Sequence, residues 1–311
     1  MMAAFYIGGL PLSCRAQRIA FWNVENLFDT YDDTLTLDDE YTPRGAKHWT
    51  QKRYEEKLNQ IYKTIMALDA PMAMGLAEVE NDRVLNDLCH NTPLRKAGYA
   101  FVHYDSPDRR GVDCALIYDS LRFRPFRTRT ISLSDTSGHY FTRDILQVLG
   151  VTYQADTIVM FVCHFPSKRG GATAEKHRME AARRLRLAMD SARTDYPSAT
   201  VIAMGDFNAT PLEPPMLKGL GLPCDQYENL MATLPPGEGT YCYQGHWDYI
   251  DQVIVSKNLK QKAEAGVFRM TGLMTDDPRR LSSHPRRTYS GPRYQGGASD
   301  HLPVYLDLKS R

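Results

Sequence analysis

Short apolar runs rich in β-branched residues recur from one end of the chain to the other, and most stop at a polar residue. They cover 19–24, 72–79, 99–104, 112–118, 145–153, 157–163, 200–204, 250–256 and 302–308, and most are bounded by Gly, Pro, Asp or Ser. Runs of that length and punctuation read as strands. Helical spacing shows in two places. Across 50–68, Tyr54, Leu58, Ile61, Ile65 and Leu68 share one face behind Thr50, a residue type suited to start a helix. Across 173–193, Met179, Ala182, Leu185 and Met189 repeat the pattern. Many strands with few helices predict an α/β chain of stacked sheets flanked by helices, rather than a regular βαβ alternation. With no repeat, low-complexity tract or linker in view, 17–311 is expected to be one domain. Two stretches read as long loops: 29–48 is acidic, and 276–297 carries Arg279, Arg280, Arg286, Arg287 and Arg293. Loops that long in a compact domain tend to be functional or disordered.

A chain of 311 residues can bury about three quarters of its unfolded surface, so it needs neither disulfides nor a metal merely to fold. Its 38 Lys and Arg nearly balance 37 Asp and Glu, which excludes a strongly basic arm; attraction for phosphate must come from local patches. Aromatic residues spread along the chain exclude disorder. No apolar run reaches the roughly 20 residues that span a bilayer, so no integral membrane segment is expected. Residues 1–12 are mostly apolar, and Ser13, Cys14, Arg15 and Ala16 follow. This reads as a signal peptide over 1–16, cleaved after Ala16, although no Lys or Arg precedes the apolar stretch. It implies a periplasmic or extracellular protein, and a cytoplasmic one if the segment is not a signal. The cysteines form no CxxC pair, so zinc-type spacing is absent. Cys114 and Cys163 lie within apolar runs and read as core residues.

The chemistry gathers where the strands end. Trp22-Asn23-Val24-Glu25-Asn26 closes the first run, and Glu78 ends the second. His164 follows 157–163, and Asp206 and Asn208 follow 200–204. Asp251 heads Val253-Ile254-Val255, and Ser299-Asp300-His301 precedes the last run. A strand end fixes the backbone while its side chain projects into a cleft, so acids from distant segments can converge there. Taken singly, each residue has a plainer reading: Asn208 as a turn former, His164 as a satisfied core histidine, Glu78 as a surface acid. Jointly those readings require every acid to end a buried strand by coincidence. Oxygen ligands with two imidazoles suit Mg²⁺ or Mn²⁺ better than zinc.

The ordered motifs WNVEN, GLAEVEN, RRGVDCALIY, HFPSKRGG, GDFNATP, DQVIVS and SDHLPV resemble the endonuclease/exonuclease/phosphatase superfamily, from about Ile19 to Leu308. Its members include pancreatic-type deoxyribonuclease, abasic-site endonucleases, neutral sphingomyelinases and inositol polyphosphate 5-phosphatases. The resemblance implies a four-layer sandwich, two mixed β-sheets face to face with helices outside. It implies that Asn23 and Glu78 bind a divalent metal, with Asp300 near it. Asp206 and Asn208 match the pair that orients or deprotonates the attacking water. His301 matches the histidine that meets the scissile phosphate, held by the acid matching Asp251. His164 matches a second histidine present in only some branches, and Arg110 a phosphate-contacting arginine. Glu25 stands where members differ, which leaves its role open.

The residues support that chemistry on their own terms. Phosphodiester hydrolysis needs a positioned water, stabilised non-bridging oxygens and help for the departing oxygen. Asp206 can take a proton from water, and an imidazole paired with a carboxylate favours the charged form that donates to phosphate. The expected activity is therefore divalent-metal-dependent hydrolysis of phosphodiesters, first of all an endonuclease acting on DNA or RNA. The alternative is a phosphatase or phosphodiesterase for a small or lipid phosphoester such as an inositol phosphate or sphingomyelin. The arginines of 279–293 and Lys168-Arg169 favour a nucleic-acid partner. Acidic residues 29–40 would repel a polyanion if they stood at the cleft rim. No protein partner is expected, and a dead binding module would have lost the metal Glu or a His; all are present.

Overall fold

A computed structural model describes residues 17–135, 140–259, 262–278, 280 and 282–309. The expected signal segment and Arg279 fall outside these residues. Two mixed six-stranded sheets dominate. The first runs in the order Lys262–Val267, Val304–Lys309, Gln17–Leu27, Ala73–Val79, Asp113–Asp119, Tyr99–His103. The second runs Phe123–Ile131, Ile145–Thr152, Thr157–His164, Thr200–Asp206, Asp251–Ser256, Tyr227–Asn229. Each sheet contains one parallel pair, Gln17–Leu27 with Ala73–Val79 and Thr157–His164 with Thr200–Asp206. Each pair is joined by a helical crossover, Gln51–Ala67 in the first sheet and Gly171–Asp195 in the second.

Alternation along these strands builds the layers. Ile19 and Phe21 face inward with Ile158, Met160, Val162, Ile202 and Met204, filling the space between the sheets. Ala20, Trp22 and Val24 face outward onto Tyr54, Leu58, Ile61 and Ile65 of the first helix. Val159, Phe161 and Cys163 face outward onto Ala182, Leu185 and Met189 of the second. The order helix, sheet, sheet, helix is the four-layer sandwich expected from the sequence. Cys114 and Cys163 are buried in it. Full burial of each large apolar side chain contributes ~1.5–3 kcal/mol. Thr50 does cap the first helix, its hydroxyl accepting from the Arg53 N–H at 3.5 Å.

Three strands have no counterpart among the apolar runs: Lys262–Val267, Phe123–Ile131 and Tyr227–Asn229. All are sheet edges. An edge strand faces solvent and tolerates charge and proline, so Arg124, Pro125, Arg127 and Arg129 hide the second of them from a reading based on hydrophobicity. The 276–297 stretch also needs correction. It is not one open loop: it contributes to the hairpin of Met274–Asp277 with Ser282–Pro285 and contains that of Tyr289–Ser290 with Arg293–Tyr294. Segment 29–48 keeps its loop character apart from the short 3-10 turn Asp39–Tyr41.

Candidate active site

Both parallel pairs run toward the same end of the sandwich, and their last residues meet across it. His164 and Asp206 are register partners at the ends of adjacent strands, and antiparallel pairing sets Asp251 opposite Asp206. Gly205 is required by this packing, because a Cβ there would lie 2.3 Å from the Cys163 carbonyl oxygen. In the first sheet the ladder is broken by register shifts between Asn23 and Leu27 and between Ala77 and Val79. The shifts coincide with left-handed backbone at Glu25 (φ 48°), Asn26 (φ 55°) and Glu78 (φ 62°). Such conformations cost on the order of 1–3 kcal/mol each and persist where the surroundings dictate them.

The result is a buried polar cluster around the Asp206 carboxylate. Asn23 Nδ2 donates to Asp206 Oδ2 at 3.1 Å, and the Asn208 N–H donates to Oδ1 at 2.9 Å. The Asn208 side chain does something else: its amide donates to the Phe165 carbonyl at 3.0 Å and pins the turn. His164 Nε2 lies 3.5 Å from Asp206 Oδ2 and 3.8 Å from Glu78 Oε1. His301 Nε2 approaches the same Asp206 oxygen from another side at 3.8 Å. His301 Nδ1 is held by Asp251 Oδ2 at 2.8 Å, and Asp300 Oδ1 stands 3.9 Å from His301 Nε2. Glu78 Oε2 accepts from the Asn26 N–H at 2.9 Å, which leaves Oε1 facing the cluster.

The two histidines are pushed in opposite directions. Burial resists charge on His301, but Asp251, Asp206 and Asp300 outweigh it and hold its pKa well above the usual value. His164 is driven well below the usual value by burial, then by the charges of Arg143 and Arg110. One imidazole is therefore a cation at neutral pH and the other is neutral. Asp206 is raised to about 7, by burial above all and by Asp251, against the opposing pull of His301. A carboxylate poised near neutrality can both release and accept a proton in the working range.

Arg110 stands apart from the cluster. Its half-exposed guanidinium sits 3.5 Å from Asp108 Oδ1, and only its charge reaches His164. Arg143, which the sequence reading passed over, is the closer cation. It is buried, donates to Asp108 at 3.0 Å and to the Phe165 carbonyl at 2.9 Å, and so fixes the backbone just after His164. Its sequence signal was a charged residue at the mouth of the apolar run 145–153. Glu25 turns away from Asp206: its carboxylate accepts from the Thr288 N–H at 2.7 Å, and its carbonyl accepts from buried Lys57. Burial, then Asp300, raises Glu25 to about 8. Arg287 was read as a phosphate contact; here it donates to Asp300 at 2.7 Å.

Glu78, Asn23 and Asp300 offer hard oxygen donors at one side of the cluster, a set that fits Mg²⁺ or Mn²⁺. Asp206, Asp251 and His301 also lie close enough together to share an ion. Because His301 Nδ1 is already engaged by Asp251, that trio fits a proton-transfer dyad with a third acid better than a chelate.

Comparison with known proteins accords with this geometry. A family model described as Endonuclease/Exonuclease/phosphatase family matches residues 18–310. Among solved structures, the human Nocturnin catalytic domain is 18% identical with a TM-score of 0.60, covering 94% of each chain. A humanized TDP2 from D. rerio is 14% identical with a TM-score of 0.62, covering 94% of this chain and 98% of that one. A mannosyl-6-phosphatase from Bacteroides thetaiotaomicron is 16% identical with a TM-score of 0.62, covering 94% and 99%. At such identities these likenesses establish the shared fold alone. No curated protein matches by sequence. By its residues, its two-sheet architecture and the family model that spans it, the chain belongs to the endonuclease/exonuclease/phosphatase family.

Proposed function

We propose that this protein is a divalent-metal-dependent hydrolase of small phosphoesters. The observation that carries the reading is Asp206, a carboxylate near neutrality set between a neutral and a cationic imidazole, with Glu78 and Asn23 beside it. In this reading Asp206 takes the proton of the attacking water. Cationic His301, held by Asp251, donates to a non-bridging phosphate oxygen. Neutral His164 stands ready to share a proton on the other side of Asp206. Asn23, Glu78 and Asp300 would hold Mg²⁺ or Mn²⁺, which when bound supplies Lewis-acid stabilisation of phosphate charge.

The substrate size rests on the surroundings. The acidic segment stands beside the loop of Arg110: the Leu37 N–H donates to the Arg109 carbonyl at 2.8 Å. Exposed Asp32, Asp33, Asp39 and Glu40 belong to that segment and disfavour a long polyanion. Arg280, Arg286 and Arg287 are each engaged within the protein, by Asp277, the Gln295 carbonyl and Asp300. An endonuclease is the second reading, favoured by exposed Arg169 and Arg293. It is also favoured by a structural neighbour described as TDP2 complexed with single strand DNA product. Secretion after cleavage at Ala16 belongs to the same proposal, and cell fractionation tests it.

The deciding experiment is a hydrolysis panel of plasmid DNA, a bis-aryl phosphate, sugar and inositol phosphates and sphingomyelin, with Mg²⁺ or EDTA. Asp206→Ala and His301→Ala serve as controls. Cleavage of a small ester in Mg²⁺ with DNA left intact is the expected result; rapid nicking of DNA with the small esters untouched would overturn it.

A further inference from the structure

Two hairpins stand outside the main sheets beside the reaction centre. One pairs Tyr241–Tyr243 with His246–Asp248, and the other pairs Met274–Asp277 with Ser282–Pro285. Between them lies a cavity of about 250 Å³. Its inner wall includes Arg287 and Asp300, and Asp300 Oδ1 is the oxygen that stands 3.9 Å from His301 Nε2. At the base of the first hairpin, the Tyr241 ring packs against the His301 ring with centroids 4.9 Å apart. The cavity therefore opens directly off the catalytic cluster. Gly245 (φ 88°) shapes the turn of the first hairpin, and a Cβ there would lie 3.0 Å from Arg280 Cδ, so the two walls meet closely.

We propose that this cavity is the leaving-group subsite and that it takes a hydroxylated six-membered ring, a sugar or a cyclic polyol, carrying the phosphate to be removed. The inference rests on the reading of the protein as a small-phosphoester hydrolase and adds the substrate class. Size is the first reason. The cavity lies below the roughly 300–1,000 Å³ typical of drug-sized ligands, which suits one ring and not an oligomer.

Charge is the second reason. Both arginines in the wall are matched by carboxylates: Arg280 meets Asp277 at 2.6 Å and Arg287 meets Asp300 at 2.7 Å. The balance gives a second phosphate little net attraction, which disfavours polyphosphates and nucleic-acid strands. What the pairs do offer is an alternation of fixed N–H donors and carboxylate lone pairs. Vicinal hydroxyls, each both donor and acceptor, complement such a wall. A nucleobase would want flat aromatic faces on which to stack. Here the exposed ring of Tyr243, with Gln244 Nε2 donating to its hydroxyl at 3.3 Å, provides a platform for one apolar face of a sugar.

A built-in reporter tests this. Cys242 lines the cavity and is partly exposed, while Cys224, also partly exposed, packs instead against Arg186. In the turnover-impaired variant Asp206→Asn with Mg²⁺, alkylation of the two thiols is followed by peptide mass spectrometry. The ligands are glucose 6-phosphate, mannose 6-phosphate, myo-inositol 1-phosphate, thymidine 5′-monophosphate and inorganic phosphate. A ring phosphate is expected to slow Cys242 alone, with thymidine monophosphate and phosphate leaving it unchanged; the sugar and inositol arms separate the two sources of the ring. In the otherwise unmodified enzyme, Tyr243→Ala and Arg280→Gln are expected to raise KM for the protecting ester about tenfold while p-nitrophenyl phosphate hydrolysis stays within about twofold. Equal protection by every ligand, or equal loss on both substrates, would overturn the proposal. Protection of Cys242 without hydrolysis of any ester would leave the subsite standing and remove the hydrolase reading. Hydrolysis of p-nitrophenyl phosphate without protection by any ring phosphate would do the reverse.

Discussion

The two parallel pairs make the same architectural element by different means. In the second sheet, Thr157–His164 and Thr200–Asp206 keep an unbroken ladder through the last residue, and the side chains that matter simply continue it. In the first sheet, Gln17–Leu27 and Ala73–Val79 lose register near their ends, and three residues there adopt left-handed backbone. The difference matches the tasks. A proton-handling carboxylate and imidazole need fixed positions, and an intact ladder gives them. Oxygen donors for a cation must converge from several directions, and kinked backbone aims them. The first pair carries conformational strain that the second does not.

The largest effects should separate the two halves by chemistry. Asp206→Asn or His301→Ala is expected to lower turnover by ~10³-fold or more, with no recovery at high Mg²⁺. Glu78→Ala should lose ~10²-fold, partly regained as Mg²⁺ is raised, because it weakens a ligand set rather than the proton relay. If titrating Mg²⁺ rescues neither, or both, the division of labour is wrong. For stability the order reverses, since the regular ladder has no slack. Gly205→Ala, whose Cβ would lie 2.3 Å from the Cys163 carbonyl, should cost ~3 kcal/mol, read as a fall in Tm.

A pH series sharpens the contrast further. Glu80, just past the kink, accepts from the Asp29 N–H at 2.6 Å and is raised to about 8, chiefly by burial. Its folded pKa lies above its unfolded value, so the folded chain holds the extra proton. The associated stability is complete below pH ~4.3 and is lost as pH rises through about 8. Glu80→Gln should match the unsubstituted protein in Tm at pH 5 and exceed it at pH 8.5; a constant offset would contradict the assignment. The smallest effect is the most specific. Glu78→Gly should be ~1 kcal/mol more stable than Glu78→Ala, because only Ala pays for the left-handed backbone. Equal melting temperatures would remove strain from the comparison.

Much of this was legible in the sequence, for reasons that particular residues make plain. The central strands are buried on both faces, so 157–163 and 200–204 read as unbroken apolar runs, and the polar residue ending each run marks the cleft. Asn23, Glu78, His164, Asp206, Asp251 and His301 announce themselves that way. The edge strand with Arg124, Arg127 and Arg129 does not, because solvent removes the hydrophobic constraint. Lys57 and Arg143 escaped for another reason. A buried cation on a helix face or at a strand mouth looks the same in sequence as a solvated one. Only the carbonyls of Glu25 and Phe165 they meet set them apart. The cavity between the two C-terminal hairpins was invisible too, since its walls are brought together by turns within a stretch that reads as one loop.

The tie between Trp22 and the far end of the sequence carries a consequence for synthesis. Trp22 Nε1 donates to the His301 carbonyl at 2.9 Å, and Ser299 Oγ donates to the neighbouring Asn23 carbonyl at 2.6 Å. Contacts spanning nearly 280 positions form late, because so long a loop must close before they reward it. A ribosome-bound intermediate, or a product clipped ahead of Ser299, would hold Glu78 and Asp206 without the imidazolium that completes them. Catalytic competence thus arrives only when translation has passed this point, and partial products stay silent.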